Sequence, residues 1–191
     1  MDRPVANALA PGLRAQLAQA LHDAFANDDV RALVLRGAGS VFSSGVDISE
    51  YDGPLSEPWI GDLCDLIESG PKPVVAALHG AALGGGLELA LAAHARVAEA
   101  TTRLAQPELS LGLIPGGGAT QRLPRLIGAQ ASLEFLMSAQ PARANDPRLA
   151  RLCDRLVPGD PLEPARELAR SLADRAAWTP TRERRRGFSD P

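Results

Sequence analysis

The sequence predicts an α/β fold, and three observations carry that prediction. Short apolar runs of strand length alternate with longer segments whose leucines and isoleucines return at helical spacing. The apolar runs stop at glycine turns such as Gly37-Ala38-Gly39-Ser40 and His79-Gly80. The composition is that of a folded domain, with 45% hydrophobic and 23% charged residues in 191. That length suits a single domain able to bury roughly 70% of its unfolded surface without a disulfide or metal staple.

The elements follow in chain order. Leu13, Leu17, Leu21 and Phe25 recur on one helical face and predict a helix over Gly12–Asn27. Ala32-Leu33-Val34-Leu35 reads as a buried strand. Ser56 is the expected N-cap of a second helix, with Pro58 in its first turn. Ile60, Leu63, Leu66 and Ile67 form its buried stripe, and Gly70-Pro71 ends it. Val74–Leu78 is a second buried strand, and a helix should start near Gly85–Gly86 and reach Ala93. Short apolar pieces follow at Arg96–Ala98 and Arg103–Ala105, then the loop-rich Gln106–Gly118. Helices are expected over Ala119–Ile127, Ala129–Ala139, Asp146–Cys153 and Leu162–Ala177, with Arg155-Leu156-Val157 extended between the last two. The expected domain therefore covers residues 1–180. Residues 181–191, with Arg182-Glu183-Arg184-Arg185-Arg186, show no apolar period and read as an exposed Arg-rich tail or linker.

Charge and cysteine usage remove several function classes. A net charge of −3 offers no electrostatic case for nucleic acid. Almost every basic residue is Arg, with Lys72 the single lysine, which we read as the codon bias of a GC-rich genome. Cys64 and Cys153 make neither a disulfide framework nor a paired-thiol motif, and His22, His79 and His94 are too dispersed for a metal cluster. Met1-Asp2-Arg3-Pro4 does not read as the start of a secretory signal. Val74–Ala93 has the length of a membrane span, but four glycines, His79 and Glu88 fit a buried strand–turn–helix better. The expected compartment is the cytoplasm, with no membrane partner.

Three segments can carry chemistry. Leu83-Gly84-Gly85-Gly86-Leu87-Glu88 places glycines between a strand and a helix, where backbone approaches a ligand closely and unpaired N–H groups stabilise an anion or a developing oxyanion. The Gly-x-x-x-x-Gly-Lys-Ser/Thr pattern of a phosphate loop is absent. Glu88 has no basic residue within a helical turn. It reads either as a desolvated acid with a raised pKa, or as a carboxylate favourably placed at a partly wet helix start. Glu108, after Gln106-Pro107, reads alone as an ordinary helical-turn opening. Together the two acids could hold one water and divide acid and base roles. Phe42-Ser43-Ser44-Gly45-Val46-Asp47-Ile48 is either a bulged strand end or an open loop presenting backbone N–H groups.

These blocks, with Ala32–Gly39, Pro73–Glu88 and Gln106–Arg125 in the same order and spacing, resemble the crotonase superfamily of enoyl-CoA hydratases and isomerases. The likeness runs from Arg3 to about Pro158. It is most similar to the hydratase/isomerase module of multifunctional fatty-acid-oxidation enzymes. The resemblance implies a spiral of repeated ββα units, shortened here at both termini. It implies an oxyanion hole from the backbone N–H groups of Val46 and Gly85, with Glu88 and Glu108 as the catalytic pair. Ser44, Val46, Asp47, Ile48, Gly84 and Gly85 would contact substrate, and coenzyme A would lie along Ser44–Ile48. The implied reaction is hydration of a trans-2-enoyl-CoA to a 3-hydroxyacyl-CoA, with either glutamate as base. The implied partner is an acyl-CoA thioester, coenzyme A being part of the substrate and no separate cofactor or metal being needed. The family also implies a homotrimer or hexamer, or a dehydrogenase partner.

Two other functions fit the same residues: isomerisation of a 3-enoyl-CoA to the 2-enoyl-CoA, and a truncated, non-catalytic acyl-CoA-binding or assembly subunit. Three departures from the family pattern bear on the choice. Val46 stands where Ala is usual, Gly117-Gly118-Ala119-Thr120 replaces Gly-Ala-Gly-Gly-Thr, and the flanking strand and C-terminal helices of the pattern are expected to be absent or cut short.

Overall fold

A computed structural model describes residues 6–47, 50 and 56–184. Its helices are α1 (Pro11–Ala26), α2 (Ile60–Glu68), α3 (Gly85–Ala92), α4 (Ala119–Ile127), α5 (Ala129–Ser138) and α6 (Leu162–Arg175). Its strands are β1 (Leu33–Arg36), β2 (Val74–Leu78), β3 (Ala81–Leu83), β4 (Ala95–Glu99), β5 (Arg103–Ala105), β6 (Ala142–Arg143) and β7 (Arg155–Val157). They form a parallel sheet in the order β1-β2-β4-β7 and a smaller sheet in the order β3-β5-β6.

The chain visits the two sheets in turn. β2 lies in the large sheet, β3 in the small one, and α3 follows; β4, β5 and α4 repeat the sequence. The first turn does the same in reduced form: β1, a single parallel bridge from Ser43 to Ala82, then α2. This is the spiral of ββα units expected from the resemblance. It leaves α3 packed between α2 and α4, with β3 of the small sheet against α3.

β2 explains why its sequence is unbroken hydrophobe. Val74, Ala76 and Leu78 face the main core with α2 and α3, while Val75 and Ala77 face a second core closed by Ala165 and Ala169 of α6. A strand covered on both faces has no polar alternation to show. α3 is buried along its whole length, so Leu87, Leu89 and Leu91 also lack an amphipathic pattern. Arg14 of α1 is fully buried because its guanidinium bonds both Glu50 oxygens at 2.7 and 2.8 Å and the carbonyls of Leu9, Ser56 and Pro58.

Several sequence expectations are corrected. α2 starts at Ile60 and not after Ser56, because the Asp62 carboxylate accepts from Trp59 N at 2.8 Å. Arg14 meanwhile holds the Ser56 and Pro58 carbonyls outside the helix. Asp146–Cys153 is not an α-helix: Asp146 accepts from Arg148 N, and a 3-10 turn over Pro147–Leu149 runs into a turn over residues 150–152, with Leu149 and Leu152 buried. Two strands have no counterpart in the sequence expectations: β3, which follows β2 after only His79-Gly80, and the two-residue β6.

The tail expected from residue 181 begins docked to the domain. Thr181–Glu183 forms a 3-10 turn with Thr181 fully buried, its Oγ1 donating to the Ala93 carbonyl at 3.1 Å. Arg184 reaches Asp154 at 3.0 Å. Among the described residues, no helix is long and apolar enough to cross a membrane.

Candidate active site

A cavity of about 160 Å³ opens where the N-terminal end of α3, the Ser44–Val46 loop and the start of α2 converge with the Pro107–Gly116 segment. Ser44, Val46, Gly84, Gly85, Glu88 and Glu108 all line it. Six residues chosen from three separated stretches of sequence thus meet at one opening. Asp47 is half-buried in the same loop, its carbonyl accepting from Glu50 N at 3.1 Å, and it does not line the cavity. Ile48 lies outside the described residues.

Glu88 projects from the first turn of α3 and is 2% exposed. Its Oε1 accepts from Ala119 N at 3.1 Å, at the start of α4. Gly117 closes over the other oxygen so tightly that a Cβ there would sit 2.5 Å from Glu88 Oε2. Burial pushes the Glu88 pKa up, against the pull of the Ala119 and Gly117 amides and of the Arg122 guanidinium. Of the two surroundings open from the sequence, the structure has the buried one and not the partly wet helix start.

Glu108 lies in a 3-10 turn over Pro107–Leu111, the helical-turn opening that Pro107-Glu108 suggests within the loop-rich stretch. Its carboxyl stands against Gly84, where a Cβ would be 3.0 Å from Oε1. Gly84 therefore serves twice: it adopts φ of +49° at the entry to α3, and it leaves space for this carboxyl. The Gln106 amide, fully buried, satisfies both its ends when its nitrogen faces Glu108, 2.9 Å from Oε1 and 3.0 Å from Oε2. Burial, with a contribution from the Glu88 charge, pushes Glu108 up to about 7. Both carboxyls are thus held above the ordinary carboxylate range, and the Glu88 charge contributes to the rise at Glu108.

Val46 and Gly85 are direct neighbours. A Cβ at Gly85 would lie 2.9 Å from Val46 Cγ2 and 3.2 Å from Ile60 Cγ1. Gly45 at φ +94° turns the loop so that it runs against the Leu83 carbonyl, where a Cβ would meet it at 2.7 Å. The loop is tied down by Leu83 N to Ser43 O at 3.0 Å and by Ser44 N to Ala6 O at 2.7 Å. Gly85 is the first residue of α3, so its N–H belongs to the set with no partner inside the helix. The helix N-terminus adds partial positive charge at the cavity beside both glutamates.

Sequence reasoning missed several parts of this wall. Trp59 and Ile60 come from the start of α2, and Leu111, Leu113 and Ile114 supply an apolar rim. Ile114 is 79% exposed, which is unusual for its type and is a signal no periodicity carries.

The sequence model described as enoyl-CoA hydratase/isomerase matches residues 1–180. The chain is 41% identical over 169 residues to a peroxisomal bifunctional enzyme of Danio rerio, covering 88% of this chain and 24% of that protein. It is 43% identical over 148 residues to a probable enoyl-CoA hydratase of Bacillus subtilis (strain 168), covering 74% of this chain and 57% of the other. It thus spans about a quarter of the length of the multifunctional relatives it matches. Among solved structures, enoyl-CoA hydratase subunit I of Geobacillus kaustophilus HTA426 superposes with a TM-score of 0.79 at 35% identity, covering 91% of this chain and 70% of that one. The enoyl-CoA hydratase of Bacillus anthracis gives 0.78 at 33% identity, with 91% and 69% covered. With its ββα spiral, its paired glutamates and these matches, the chain belongs to the enoyl-CoA hydratase/isomerase family.

Proposed function

We propose that this protein hydrates trans-2-enoyl-CoA thioesters to 3-hydroxyacyl-CoA. The observation that carries the reading is the meeting of Glu88 and Glu108 in one cavity, both with raised pKa values, beside the first amide of α3. In this reading the pair shares one proton, one carboxyl being ionised and the other protonated. The ionised carboxylate takes a proton from water as the water oxygen bonds to Cβ. The protonated carboxyl delivers its proton to Cα, and the carbon–carbon double bond becomes single. Net, one water is added and the two carboxyls exchange protonation states, which proton exchange with solvent then resets.

Charge develops on the thioester oxygen during attack. We assign the Val46 and Gly85 N–H groups as its donors, aided by the N-terminal end of α3. One such donor contributes about 3–4 kcal/mol of transition-state stabilisation. Ser44 and Asp47, with Ile48, are assigned to the approach of coenzyme A, and Gly84 to the floor beside Glu108. The chemistry uses no cofactor beyond the coenzyme A of the substrate. The proposal includes the cytoplasm as compartment, although several relatives are named peroxisomal or glyoxysomal.

Purified protein mixed with crotonyl-CoA tests the reading. Loss of the enoyl-thioester absorbance with formation of 3-hydroxybutyryl-CoA supports it. Conversion of a 3-enoyl-CoA without hydration would replace it by isomerisation. Binding of acyl-CoA in calorimetry with no turnover of either substrate would replace it by a binding role.

A further inference from the structure

One buried charge network lies behind the cavity and takes no part in the proposed chemistry. Glu68, at the end of α2, is 1% exposed, and Arg122, in α4, is 4% exposed. Arg122 Nη2 donates to Glu68 Oε2 at 2.7 Å, and its Nη1 donates to the Gly117 carbonyl at 2.6 Å. Gly117 is the residue that closes over Glu88, and Ala119, two residues on, donates to Glu88 Oε1. The adjoining Gly118, at φ +97°, has no room for a side chain: a Cβ there would lie 2.3 Å from Arg122 Nη1. The Gly117–Ala119 turn is therefore pressed between a carboxylate on one side and a guanidinium on the other.

The segment after α6 completes the network. Arg182 N donates to Glu68 Oε1 at 2.7 Å, its Nε donates to Glu68 Oε2, and its Nη2 reaches Asp65 at 2.6 Å. Glu68 so held has its pKa drawn below the ordinary value despite burial. Arg122 faces an anion that stays ionised and is itself fixed from two sides. A guanidinium fork locked in that way holds a carbonyl in one place better than a single point charge could.

We propose that Arg122, anchored by Glu68 and backed by Arg182, is a positioning residue that fixes the Gly117–Ala119 turn and through it the Glu88 carboxylate. The proposal rests on the reading of Glu88 as an acid–base group. The groups facing Glu88 from the packed elements are Glu108 from the 3-10 turn, Cys64 from α2 and Arg122 from α4. Arg122 is the cation among these, and its charge draws the Glu88 pKa down.

The test is the titration of Glu88, followed by carbon-13 NMR of labelled glutamate carboxyls and assigned by its disappearance in Glu88→Gln. Arg122→Gln should move the Glu88 titration to higher pH, lower kcat ~10- to 100-fold and leave KM nearly unchanged. Arg122→Lys, which keeps charge but not the fork, should restore the titration more than kcat. Arg125→Ala serves as a control, since Arg125 donates to the Gln121 carbonyl. Where the single variant does not fold, Glu68→Gln with Arg122→Gln removes both buried charges, and the same upward move is expected. A folded Arg122→Gln or double variant with an unchanged Glu88 titration overturns the proposal, whether or not the wild type hydrates crotonyl-CoA. Turnover lost in Glu88→Gln but untouched in Arg122→Gln overturns it too, while leaving the proposed function standing.

Discussion

Val46 packs its Cγ2 against Gly85 so closely that a β-carbon at Gly85 would stand 2.9 Å away. Gly85 is thus required by contact as well as by its place at the start of α3. Gly85→Ala should push the Val46 loop and the α3 entry apart and disturb the two amides proposed as oxyanion donors. The expected result is a folded protein with crotonyl-CoA turnover reduced ~100-fold or more, in the range for losing one oxyanion donor. Circular dichroism separates this from unfolding, and turnover within a few-fold of wild type would remove Gly85 from the assigned pair.

The coupling of the two carboxyls has a direct spectroscopic signature. Glu108 is pushed up to about 7, in part by the charge of Glu88. Glu88→Gln removes that charge and should bring the Glu108 titration down. In the wild type, kcat/KM should be bell-shaped, falling below the lower pKa of the pair as both protonate and above roughly neutral pH as both ionise. A profile flat across neutrality would mean that the chemistry does not need one proton shared by the pair.

The same raised pKa makes a stability prediction. Glu108 folded titrates at about 7 against an ordinary 4.5, so the folded state binds more protons between those values. Its contribution to stability is therefore present below pH 4.5 and is lost as pH rises towards 7. Glu108→Gln removes this loss. The variant should gain stability relative to wild type as pH is raised from 4 to 8, read from urea midpoints at each pH. A wild-type advantage that grows with pH would contradict the burial account.

Arg96 of β4 offers a test of the fold away from the site. It is fully buried, bonds the Ala93 carbonyl at 2.8 Å and the Leu152 carbonyl at 2.8 Å, and pairs with Asp154 at 3.3 Å. Its Nη1 also meets Thr181 Oγ1 at 3.2 Å, tying the segment after α6 to the end of α3. Arg96→Ala strands these groups and should cost about 3–5 kcal/mol, seen as a lower urea midpoint.

What could be read from the sequence follows from where each signal resides. β2 and α3 were legible because an unbroken apolar run and a glycine-rich entry are local properties of Val74–Leu78 and Gly84–Gly86. Glu88 and Glu108 were legible as two acids able to hold one water between them, but the cavity they line depends on two turns of the spiral coming into contact, which no local pattern carries. The start of α2 was misplaced because Arg14, more than forty residues upstream, takes the carbonyls that Ser56 would have needed for a helical start. Arg122 and Glu68 were invisible as a pair: 54 residues separate them, and each alone is an ordinary charged residue on a helix. Thr181–Arg184 looked like tail for the same reason, its partners being Ala93, Glu68 and Asp154.

The central claim is that Glu88 and Glu108 share the work of adding water. The most direct measurement is crotonyl-CoA hydration by the wild type beside Glu88→Gln and Glu108→Gln, each checked for folding and for acyl-CoA binding by calorimetry. The account predicts that both variants still bind and that each loses at least ~100-fold in kcat, the order expected for one general acid or base. If either variant hydrates crotonyl-CoA at the wild-type rate, the two-carboxyl mechanism is contradicted.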